Sequence, residues 1–504
     1  MKLGEVQSLL MPKETHHLDA DKEVAAVVYD SRKATPGALF VAIRGFKTDG
    51  HRFIEQAVQC GAVGIVCEAL PATLVPECSY FVVPDSRWAL AVLAKAFYGN
   101  VSDKLTIVGI TGTNGKTTTS YLIKSILEAN GWKTGLIGTV EYHLGDEILE
   151  AERTTPEAVE LHQFFDKMVH AGCTHCVMEV SSHSLALQRT VGIRFQVAVF
   201  TNLSRDHLDF HGTMENYFRA KKRLFNSLDK DAIAITNADD AYSKRIVADC
   251  PAPVMTYGLC SNGAVAHSEP NAVTVSAKVL RYELGSTSVV LNVQGELHTH
   301  SFEMIGRFNL YNILAAYSAG LALGIEHHRI IQGISKCKGV RGRMEQVWSS
   351  DQRCAVIDYA HSPDALENVL RTLREVLPQG GRLIVLFGCG GDRDRGKRPE
   401  MGRIAEQLAD VLILTSDNPR SEDPEKILDD IESGLQHTKP TYRITNRQDA
   451  IEYGISLLRQ GDVLLVAGKG HETYQEMGGV RYPFDDRAVV EAIFQKEGKR
   501  GRSF

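Results

Sequence analysis

One glycine-rich segment constrains this chain more than any other stretch. An apolar run at residues 105–110 leads into the octapeptide Thr111-Gly112-Thr113-Asn114-Gly115-Lys116-Thr117-Thr118. An amphipathic segment, residues 121–127, follows directly, so the order is strand, loop and helix. In such a loop, glycines let consecutive N–H groups face an anion, the helix N-terminus and Lys116 add positive charge, and the Thr117 hydroxyl can hold Mg²⁺. The segment predicts a triphosphate-binding loop.

This segment departs from the strict phosphate-loop pattern at one position. The pattern has a glycine five residues before Gly115, where this chain has Ile110 between Gly109 and Gly112. The Gly-Lys-Thr core and the strand-to-helix context are retained, and that context is what supports such a motif. The alternative interpretation is a polar turn that caps a helix.

The length and composition of the chain limit the kinds of protein it can form. At 504 residues it is too long for one hydrophobic core, and about 100 to 200 residues per domain suggests three domains. The net charge of -6 gives no basic surface for nucleic acid. Without a leader or a long apolar run, we expect a cytoplasmic monomer that acts on small molecules and binds neither nucleic acid nor membrane.

Strand-like and helix-like segments alternate along the chain, which predicts an α/β protein. We expect domains at residues 1–98, 99–337 and 338–504. The central one should hold a parallel sheet with an antiparallel β insertion at about residues 274–304. Ten cysteines are scattered, and the close pair Cys173 and Cys176 allows either a zinc or redox role or core packing; we expect reduced, mostly buried thiols.

Polar residues that follow the predicted strands of the central domain suggest metal chemistry. A carboxylate at Glu179 and an imidazole at His207 could hold a second divalent cation beside the one on Thr117. The four-residue spacing of His207 and His211 also allows a zinc site, although no glutamate completes a metallopeptidase motif. From pattern alone, Lys221 is an ordinary exposed base.

Four segments, in this order, resemble the Mur ligases of peptidoglycan synthesis: residues 111–117, 179–183, 206–207 and 217–225. The resemblance covers nearly the whole chain. It implies a UDP-binding N-terminal domain, a central ATP-binding domain with a phosphate-loop ATPase-type sheet, and a Rossmann-like C-terminal domain that brings the amino acid.

The resemblance also implies roles for individual residues of the ATP site. Lys116 would hold the β- and γ-phosphates, Thr117 and Glu179 would serve one Mg²⁺, and His207 with a carbamylated Lys221 would serve the other. A lysine ammonium cannot bind a cation, whereas its carbamate presents two oxygens and a negative charge. Three further residues match positions around adenosine, with interdomain packing as the alternative: Asn312, Arg343 and Asp358.

Other residues match the family's substrate sites. The uridine-nucleotide site corresponds to Tyr29, Ser31, Gly45, Phe46, Lys47 and Thr48. The muramoyl-dipeptide site corresponds to Thr154, Thr155, Ser182, Gln188 and Arg189. The amino-acid site corresponds to Arg393, Asp417, Asn418, Pro419, Arg420, Gly468 and Glu472.

The activity implied by this resemblance is an ATP-dependent amide ligation. ATP would phosphorylate the D-glutamate γ-carboxylate of UDP-N-acetylmuramoyl-L-alanyl-D-glutamate, and an amine of meso-diaminopimelate would attack the acyl phosphate to release phosphate. The Asp-Asn-Pro-Arg form of residues 417–420 is the one the family associates with meso-diaminopimelate. Alternatives are the lysine-adding ligase of the same step, a folylpolyglutamate synthetase-like ligase without the uridine domain, a phosphate-loop ATPase or switch, and a kinase.

Overall fold

The structure, a computed structural model, describes residues 1–45, 48–259, 274–337 and 339–500. Described residues up to Gly258 and those of 315–334 form one compact unit, and those of 275–314 and from Ser335 onward form a second. No helix within the described ranges has both the length and the apolar character needed to cross a membrane.

The first unit begins with a five-stranded sheet in the order β1-β5-β4-β3-β2, in which β1 alone runs antiparallel to its neighbour. Its elements are α1 (Leu3–Leu10), β1 (Glu14–His16), β2 (Ala26–Val28), β3 (Ala38–Val41), α2 (Ile54–Gln59), β4 (Gly64–Cys67), β5 (Ser79–Val82) and α3 (Ser86–Phe97). Strands β3, β4 and β5 are buried along their whole length, because apolar clusters cover both faces of the sheet.

A larger sheet follows in the same unit, and it carries the glycine-rich segment. The strands run in the order β13-β12-β11-β6-β10-β7-β8-β9, parallel as far as β7. The elements are β6 (Thr106–Thr111), α4 (Lys116–Ala129), β7 (Thr134–Ile137), β8 (Glu141–Leu144), β9 (Glu147–Glu150), α5 (Ala158–His170), β10 (His175–Glu179), α6 (Ser182–Ala186), β11 (Val197–Phe200), α7 (Leu208–His211), α8 (Met214–Asn226), β12 (Ile233–Asn237), α9 (Ser243–Ile246) and β13 (Val254–Leu259).

The expected antiparallel insertion is confirmed. It consists of β14 (Thr274–Glu283), β15 (Ser286–Val293) and β16 (Glu296–Phe302), each paired antiparallel with the next. Along β15 the side chains alternate between partly exposed and buried positions, as expected for a strand with one covered face. Two helices follow, α10 (Arg307–Ala322) and α11 (His327–Lys336).

The second unit contains a six-stranded sheet in the order β17-β18-β22-β19-β20-β21, parallel except for β17. Its helices pack on both faces, α12 to α14 on one and α15 with α16 on the other. The elements are β17 (Glu345–Trp348), β18 (Cys354–Asp358), α12 (Pro363–Val376), β19 (Leu383–Phe387), α13 (Lys397–Leu408), β20 (Val411–Leu414), α14 (Pro424–Glu432), β21 (Thr441–Arg443), α15 (Arg447–Leu457), β22 (Val463–Ala467), β23 (Tyr474–Met477), β24 (Val480–Pro483) and α16 (Asp486–Arg500).

The cysteines in the described part of the chain are free thiols, and most of them are buried. Cys176 lies in β10 and Cys173 just before it, and both belong to the core cluster of the large sheet. Burial raises the pKa of the Cys176 thiol. Among the residues that the structure describes, no three His, Cys, Asp or Glu side chains form a group that could hold a metal ion.

Candidate active site

The glycine-rich loop joins the carboxyl end of β6 to the first turn of α4, as the sequence predicts. Gly112 and Gly115 have φ angles of +152° and +84°. A Cβ atom on Gly112 would lie 1.8 Å from the Thr201 hydroxyl oxygen, so only glycine fits this position. Thr113 and Asn114 lie between these glycines, and Lys116, Thr117 and Thr118 form the start of the helix.

The loop is held by the end of the neighbouring strand β11. The Asn114 N–H donates to the Asn202 side-chain oxygen at 2.9 Å, and the Thr113 N–H donates to the Asn202 carbonyl at 2.9 Å. The Thr201 hydroxyl donates to the Asn114 carbonyl at 2.7 Å. No motif of the sequence marked Thr201 or Asn202, whose contacts fix the backbone of this loop.

Two lysines meet at one carbonyl of this loop. The Lys116 ammonium donates to the carbonyls of Gly112 and Thr113, at 3.0 and 2.8 Å. The Lys221 side chain is 1% exposed, and its nitrogen donates to the Gly112 carbonyl at 2.7 Å and lies 4.6 Å from the centre of the Tyr217 ring. Burial, and then the charge of Lys116, hold the pKa of Lys221 well below its ordinary value. The exposed base expected from pattern alone is wrong.

Glu179, at the end of β10, lies beside the first turn of α4 and is fully buried. Its Oε2 accepts from the Thr117 hydroxyl at 3.1 Å and from the Thr139 hydroxyl at 3.0 Å, and the Thr139 N–H donates to Oε1 at 2.9 Å. Adjacent hydroxyl and carboxylate oxygens are the hard donors that Mg²⁺ prefers, and it keeps waters as its other ligands. The Thr117 and Glu179 pair fits that ion.

His207 lies in the same region but on a different segment. It has a φ of +52° and occupies the N-cap position of the short helix α7. Its ring stands edge-on to His183, with the ring centres 4.8 Å apart, and 6.2 Å from the centre of Tyr217. Tyr217 in turn bonds the Thr113 hydroxyl at 3.1 Å. Burial lowers the pKa of His207, so the imidazole favours the neutral form that binds metals.

The residues predicted to bind the muramoyl dipeptide form a chain of contacts that ends at Glu179. The Thr154 hydroxyl lies 3.1 Å from that of Thr139, and the Thr155 hydroxyl donates to the Glu179 carbonyl at 2.8 Å. Arg189 donates to the Thr155 carbonyl at 2.9 Å.

Two further residues of this set contact other parts of the unit. The Ser182 hydroxyl lies 3.0 Å from the His211 ring nitrogen. Gln188, with a φ of +59°, bonds the Asp85 carboxylate at the start of α3.

A cavity of about 1120 Å³ opens in the first unit, and it receives four of the residues predicted for the uridine nucleotide. These are Tyr29, Ser31, Gly45 and Thr48, while Phe46 and Lys47 lie outside the described residues. Aromatic, cationic and acidic side chains share the lining, among them Phe53, Tyr142, Phe164, Arg32, Arg87, Arg153, Glu157 and Glu160. Aromatic faces with a few charged groups suit a ligand that has both a ring and phosphates.

Two of the predicted uridine-site residues in this cavity make hydrogen bonds with other lining side chains. The Tyr29 hydroxyl donates to Glu160 at 2.8 Å, and the Ser31 hydroxyl donates to the Gln56 side-chain oxygen at 3.0 Å. Burial, with the neighbouring Glu160 charge, raises the pKa of the Tyr29 hydroxyl, which therefore stays protonated.

In the second unit, the loops after β20 and β22 bring four predicted residues together. Asn418 donates to the Glu472 carboxylate at 2.8 Å. A Cβ atom on Gly468 would lie 2.5 Å from Asp417 Oδ2, so the two loops touch here. Lys469 is fully buried beneath them and donates to Asn418 Oδ1 at 3.0 Å and to Glu472 at 3.1 Å.

Arg420, Pro419 and Arg393 lie beside this contact, around the loop that follows β19. The Arg420 guanidinium donates to the Gly391 carbonyl at 2.8 Å and lies 3.6 Å from the Glu476 carboxylate. A Cβ atom on Gly390 would lie 2.9 Å from Arg420 and 3.7 Å from Arg393, whose side chain is exposed. Buried Pro419 packs its carbonyl against Gly391.

The three residues predicted around adenosine all lie in the second unit. The Asp358 carboxylate accepts from the N–H groups of Met344 and Ala360, each at 2.8 Å. Burial raises the pKa of Asp358, against the opposing charge of Arg343. The Arg343 guanidinium lies 4.9 Å from the Tyr359 ring centre, and its buried Nε has no hydrogen-bond partner in the described part of the chain. Asn312, on α10, donates to Asn309 at 3.2 Å.

A parallel sheet with a glycine-rich loop between strand and helix, a buried carboxylate beside that loop, and a second, Rossmann-like sheet are typical of nucleotide-dependent α/β enzymes. Comparison with known proteins agrees. Three Mur ligase sequence models match: the family's catalytic domain at residues 23–98, the middle domain at 110–320 and the glutamate ligase domain at 342–470. The chain belongs to the Mur ligase family, as its motifs suggested.

Relatives match over nearly the whole chain. A UDP-N-acetylmuramoyl-L-alanyl-D-glutamate--2,6-diaminopimelate ligase from Chlorobaculum tepidum is 48% identical, over 94% of this chain and 92% of its own. One of the same name from Chlorobium phaeobacteroides is 46% identical, over 94% and 93%. A solved structure of a ligase of that name is 33% identical, covers 99% of both chains and has a TM-score of 0.70. A Mycobacterium tuberculosis folylpolyglutamate synthase, 17% identical with a TM-score of 0.58, shares the fold alone.

Proposed function

We propose that this chain is the ATP-dependent, ADP-forming ligase that joins meso-diaminopimelate to the D-glutamate γ-carboxylate of UDP-N-acetylmuramoyl-L-alanyl-D-glutamate, a step of peptidoglycan synthesis. One observation carries the proposal: relatives named for this ligase are 41–48% identical over nearly the whole chain. The site supports it, because a triphosphate loop, a dipeptide-binding region and an amino-acid loop pair are what the reaction needs.

The phosphate loop is the proposed site of phosphoryl transfer. Lys116 donates to two loop carbonyls, and we propose that it contacts the β- and γ-phosphates of ATP. Thr117 and Glu179 would hold Mg²⁺, which neutralises phosphate charge so that a carboxylate can approach. Gly112 to Thr118 supply backbone N–H groups that orient the chain of phosphates, and Asn312, Arg343 and Asp358 are the proposed adenosine contacts.

The acceptor carboxylate is proposed to bind between this loop and the dipeptide residues. Thr154 and Thr155 already connect to Glu179, and Arg189 adds a cation beside Thr155. Ser182 and Gln188 would complete the dipeptide site. Because the cavity with Tyr29, Ser31, Gly45 and Thr48 lies in the same unit, we assign it to the uridine nucleotide of the same substrate.

The amino acid is proposed to bind at the paired loops of the second unit. Asp417 and Glu472 would receive ammonium groups, and the loop glycine Gly468 lets Asp417 approach closely. Arg420 and Arg393 flank Gly390 and would face the carboxylates, with Asn418 and Pro419 shaping the loop. Their planar guanidinium groups can each grip a carboxylate through two hydrogen bonds.

We further propose that domain boundaries fall at residues 98/99 and 337/338, and that the enzyme works as a cytoplasmic monomer on small molecules alone. The three matched family segments each lie within one proposed domain. The net charge of -6 supports the absence of a nucleic-acid partner.

One assay tests the proposed reaction against its alternatives. Purified protein receives ATP, Mg²⁺, UDP-N-acetylmuramoyl-L-alanyl-D-glutamate and a panel of amino acids, and the nucleotide products are weighed by mass spectrometry. We expect the mass of the meso-diaminopimelate amide in step with ADP. A phosphorylated product that persists would indicate a kinase, ADP without an amide would indicate an ATPase, and preference for lysine would identify the other ligase of this step.

The choice of amino acid should depend on Arg420. Lysine lacks the second carboxylate, so it would leave this guanidinium without its ligand. A charged hydrogen bond contributes about 1.5–3 kcal/mol and breaking a buried charge pair costs about 2–5, so we expect discrimination of roughly tenfold to a few thousandfold against lysine. Arg420→Ala should raise KM for meso-diaminopimelate by a factor in that range, with KM for ATP unchanged.

The matched control for this variant is Arg443→Ala in the same unit, which removes the ion pairs of Arg443 with Glu425 and Asp429. Steady-state kinetics with each substrate varied in turn separates the effects. Equal use of lysine by the wild type, or an Arg420→Ala enzyme with unaltered preference, would contradict the specificity and leave the ligase reaction standing.

A further inference from the structure

The two loops proposed to bind the amino acid do not come from neighbouring strands. Asp417 follows β20 and Gly468 follows β22, and strand β19 lies between these two strands in the sheet. Hydrogen bonds of the strand ladder therefore do not join the two loops directly. Asn418 bonds Glu472 and Lys469 between the loops themselves, but these bonds do not join the ends of the two strands below. The separation of those strand ends matters, because a Cβ atom on Gly468 would lie only 2.5 Å from Asp417 Oδ2.

One buried side chain spans this gap. Arg447, at the start of α15, donates to the Ser416 carbonyl at 3.4 Å and to the Ala467 carbonyl at 3.0 Å. These carbonyls immediately precede Asp417 and Gly468 in the chain. The guanidinium thus joins the ends of both strands at the point where each proposed binding loop begins.

The guanidinium is itself fixed in place. Its Nε and Nη2 donate to the two oxygens of Asp486, at 2.7 and 2.8 Å, and both side chains are fully buried. A two-point pair of this kind holds the planar group in one orientation. A well-packed apolar pair could fill the same space at similar stability, so stability alone does not account for the charges.

We propose that Arg447 is a positioning residue of the amino-acid site. By holding the Ser416 and Ala467 carbonyls at a fixed separation, it keeps the carboxylates of Asp417 and Glu472 together for the ammonium groups. The inference rests on the proposed function, because it assigns the amino acid to these loops. It adds a buried residue, in contact with the carbonyls that precede both loops, that no motif of the sequence marks.

The electrostatics agree with this placement. Burial lowers the pKa of the Arg447 guanidinium, whereas the Asp486 charge raises it and leaves it above the ordinary value. The charges of Asp417 and Glu472 also raise the pKa of the Arg447 guanidinium.

A double variant, Arg447→Met with Asp486→Asn, tests the proposal. Removing the arginine alone would leave a buried unpaired carboxylate and destabilise the fold, whereas the double change leaves no charge unpaired. We expect KM for meso-diaminopimelate to rise about tenfold or more, with KM for ATP and for the UDP-dipeptide within about twofold of wild type. Arg447→Lys keeps the charge but reaches fewer partners, so its KM should fall between the two.

The control is the double variant Arg382→Met with Asp462→Asn, which removes the pair of Arg382 with buried Asp462 at the opposite end of the same sheet. It should leave KM for the amino acid unchanged, and thermal melting should compare the stabilities of all variants. If the double variant of Arg447 and Asp486 melts far below the wild type, the proposal is judged on the KM of Arg447→Lys for meso-diaminopimelate alone.

Two results overturn the proposal: an unchanged KM for the amino acid in the Arg447 variants, or an equal rise in KM for all three substrates. Failure of the proposed function looks different, because the wild type itself then does not join meso-diaminopimelate. If it joins another amino acid, the same comparison with that amino acid still tests Arg447. If it joins none, both proposals fall.

Discussion

Lys116→Ala should lower the rate of amide formation by about a thousandfold or more, because it removes the one side-chain cation proposed to contact the transferring phosphoryl group. Removing a single donor of this kind typically costs about 10²- to 10³-fold in kcat, and the site must also bring a carboxylate to a triphosphate. The fold should tolerate the change, since the ammonium donates to two backbone carbonyls of its own loop, those of Gly112 and Thr113.

The measurement is the mass-spectrometric assay under saturating substrates, together with thermal melting. Lys124→Ala is the matched control, because Lys124 lies on the same helix and pairs with Glu128 at 2.6 Å on its outer face. The control should retain near-normal turnover. Near-normal turnover of Lys116→Ala would contradict the assignment of the phosphate loop. A large loss of thermal stability would mean that the lower rate reflects a damaged fold and not the loss of a catalytic cation.

The sequence predicted the strand, the glycine-rich loop and the helix of residues 106–129 well, because their signal is local. The residues of the loop are consecutive, and the strand and helix on either side have clear apolar patterns. The prediction of strand, loop and helix therefore held even though Ile110 stands where the strict phosphate-loop pattern has a glycine. In the structure, Ile110 lies inside β6 and is fully buried. The α/β class and the β insertion were equally accessible, since alternation of strands and helices is visible without knowing which strands pair.

Contacts between residues that are far apart in the sequence could not be predicted in this way. Thr139 and Asn202 hold the phosphate loop and Glu179, yet each is an ordinary polar residue at the end of a strand. The environment of Lys221 could not be predicted either. The sequence around it shows the amphipathic pattern of a helix, but only the fold brings its nitrogen to the Gly112 carbonyl 109 residues away. Local patterns predict elements, whereas contacts of this kind depend on strand order.

Lys221→Ala should also abolish ligation, by about a hundredfold or more, because we propose that the modified side chain carries an oxygen ligand for a cation. The modification needs an unprotonated amine: its nitrogen adds to carbon dioxide, an N–C bond forms, one proton is released, and the product carries a carboxylate. Burial of Lys221 to 1% exposure and the nearby charge of Lys116 favour that neutral amine. The neutral His207 imidazole would be the other protein ligand.

Chemical rescue separates this role from simple packing. A short carboxylic acid such as acetate fits the space that the side chain vacates and supplies two oxygens, so it should restore part of the activity of Lys221→Ala in a concentration-dependent way. Lys222→Ala is the matched control, because the adjacent lysine pairs with Asp249 at 2.5 Å instead of contacting the loop, and it should behave as wild type. Intact-mass measurement of active wild-type enzyme provides the independent check. A bare amine at Lys221 in fully active enzyme, or rescue of Lys221→Ala by chloride as well as by acetate, would show that a carbamate is not required at this position.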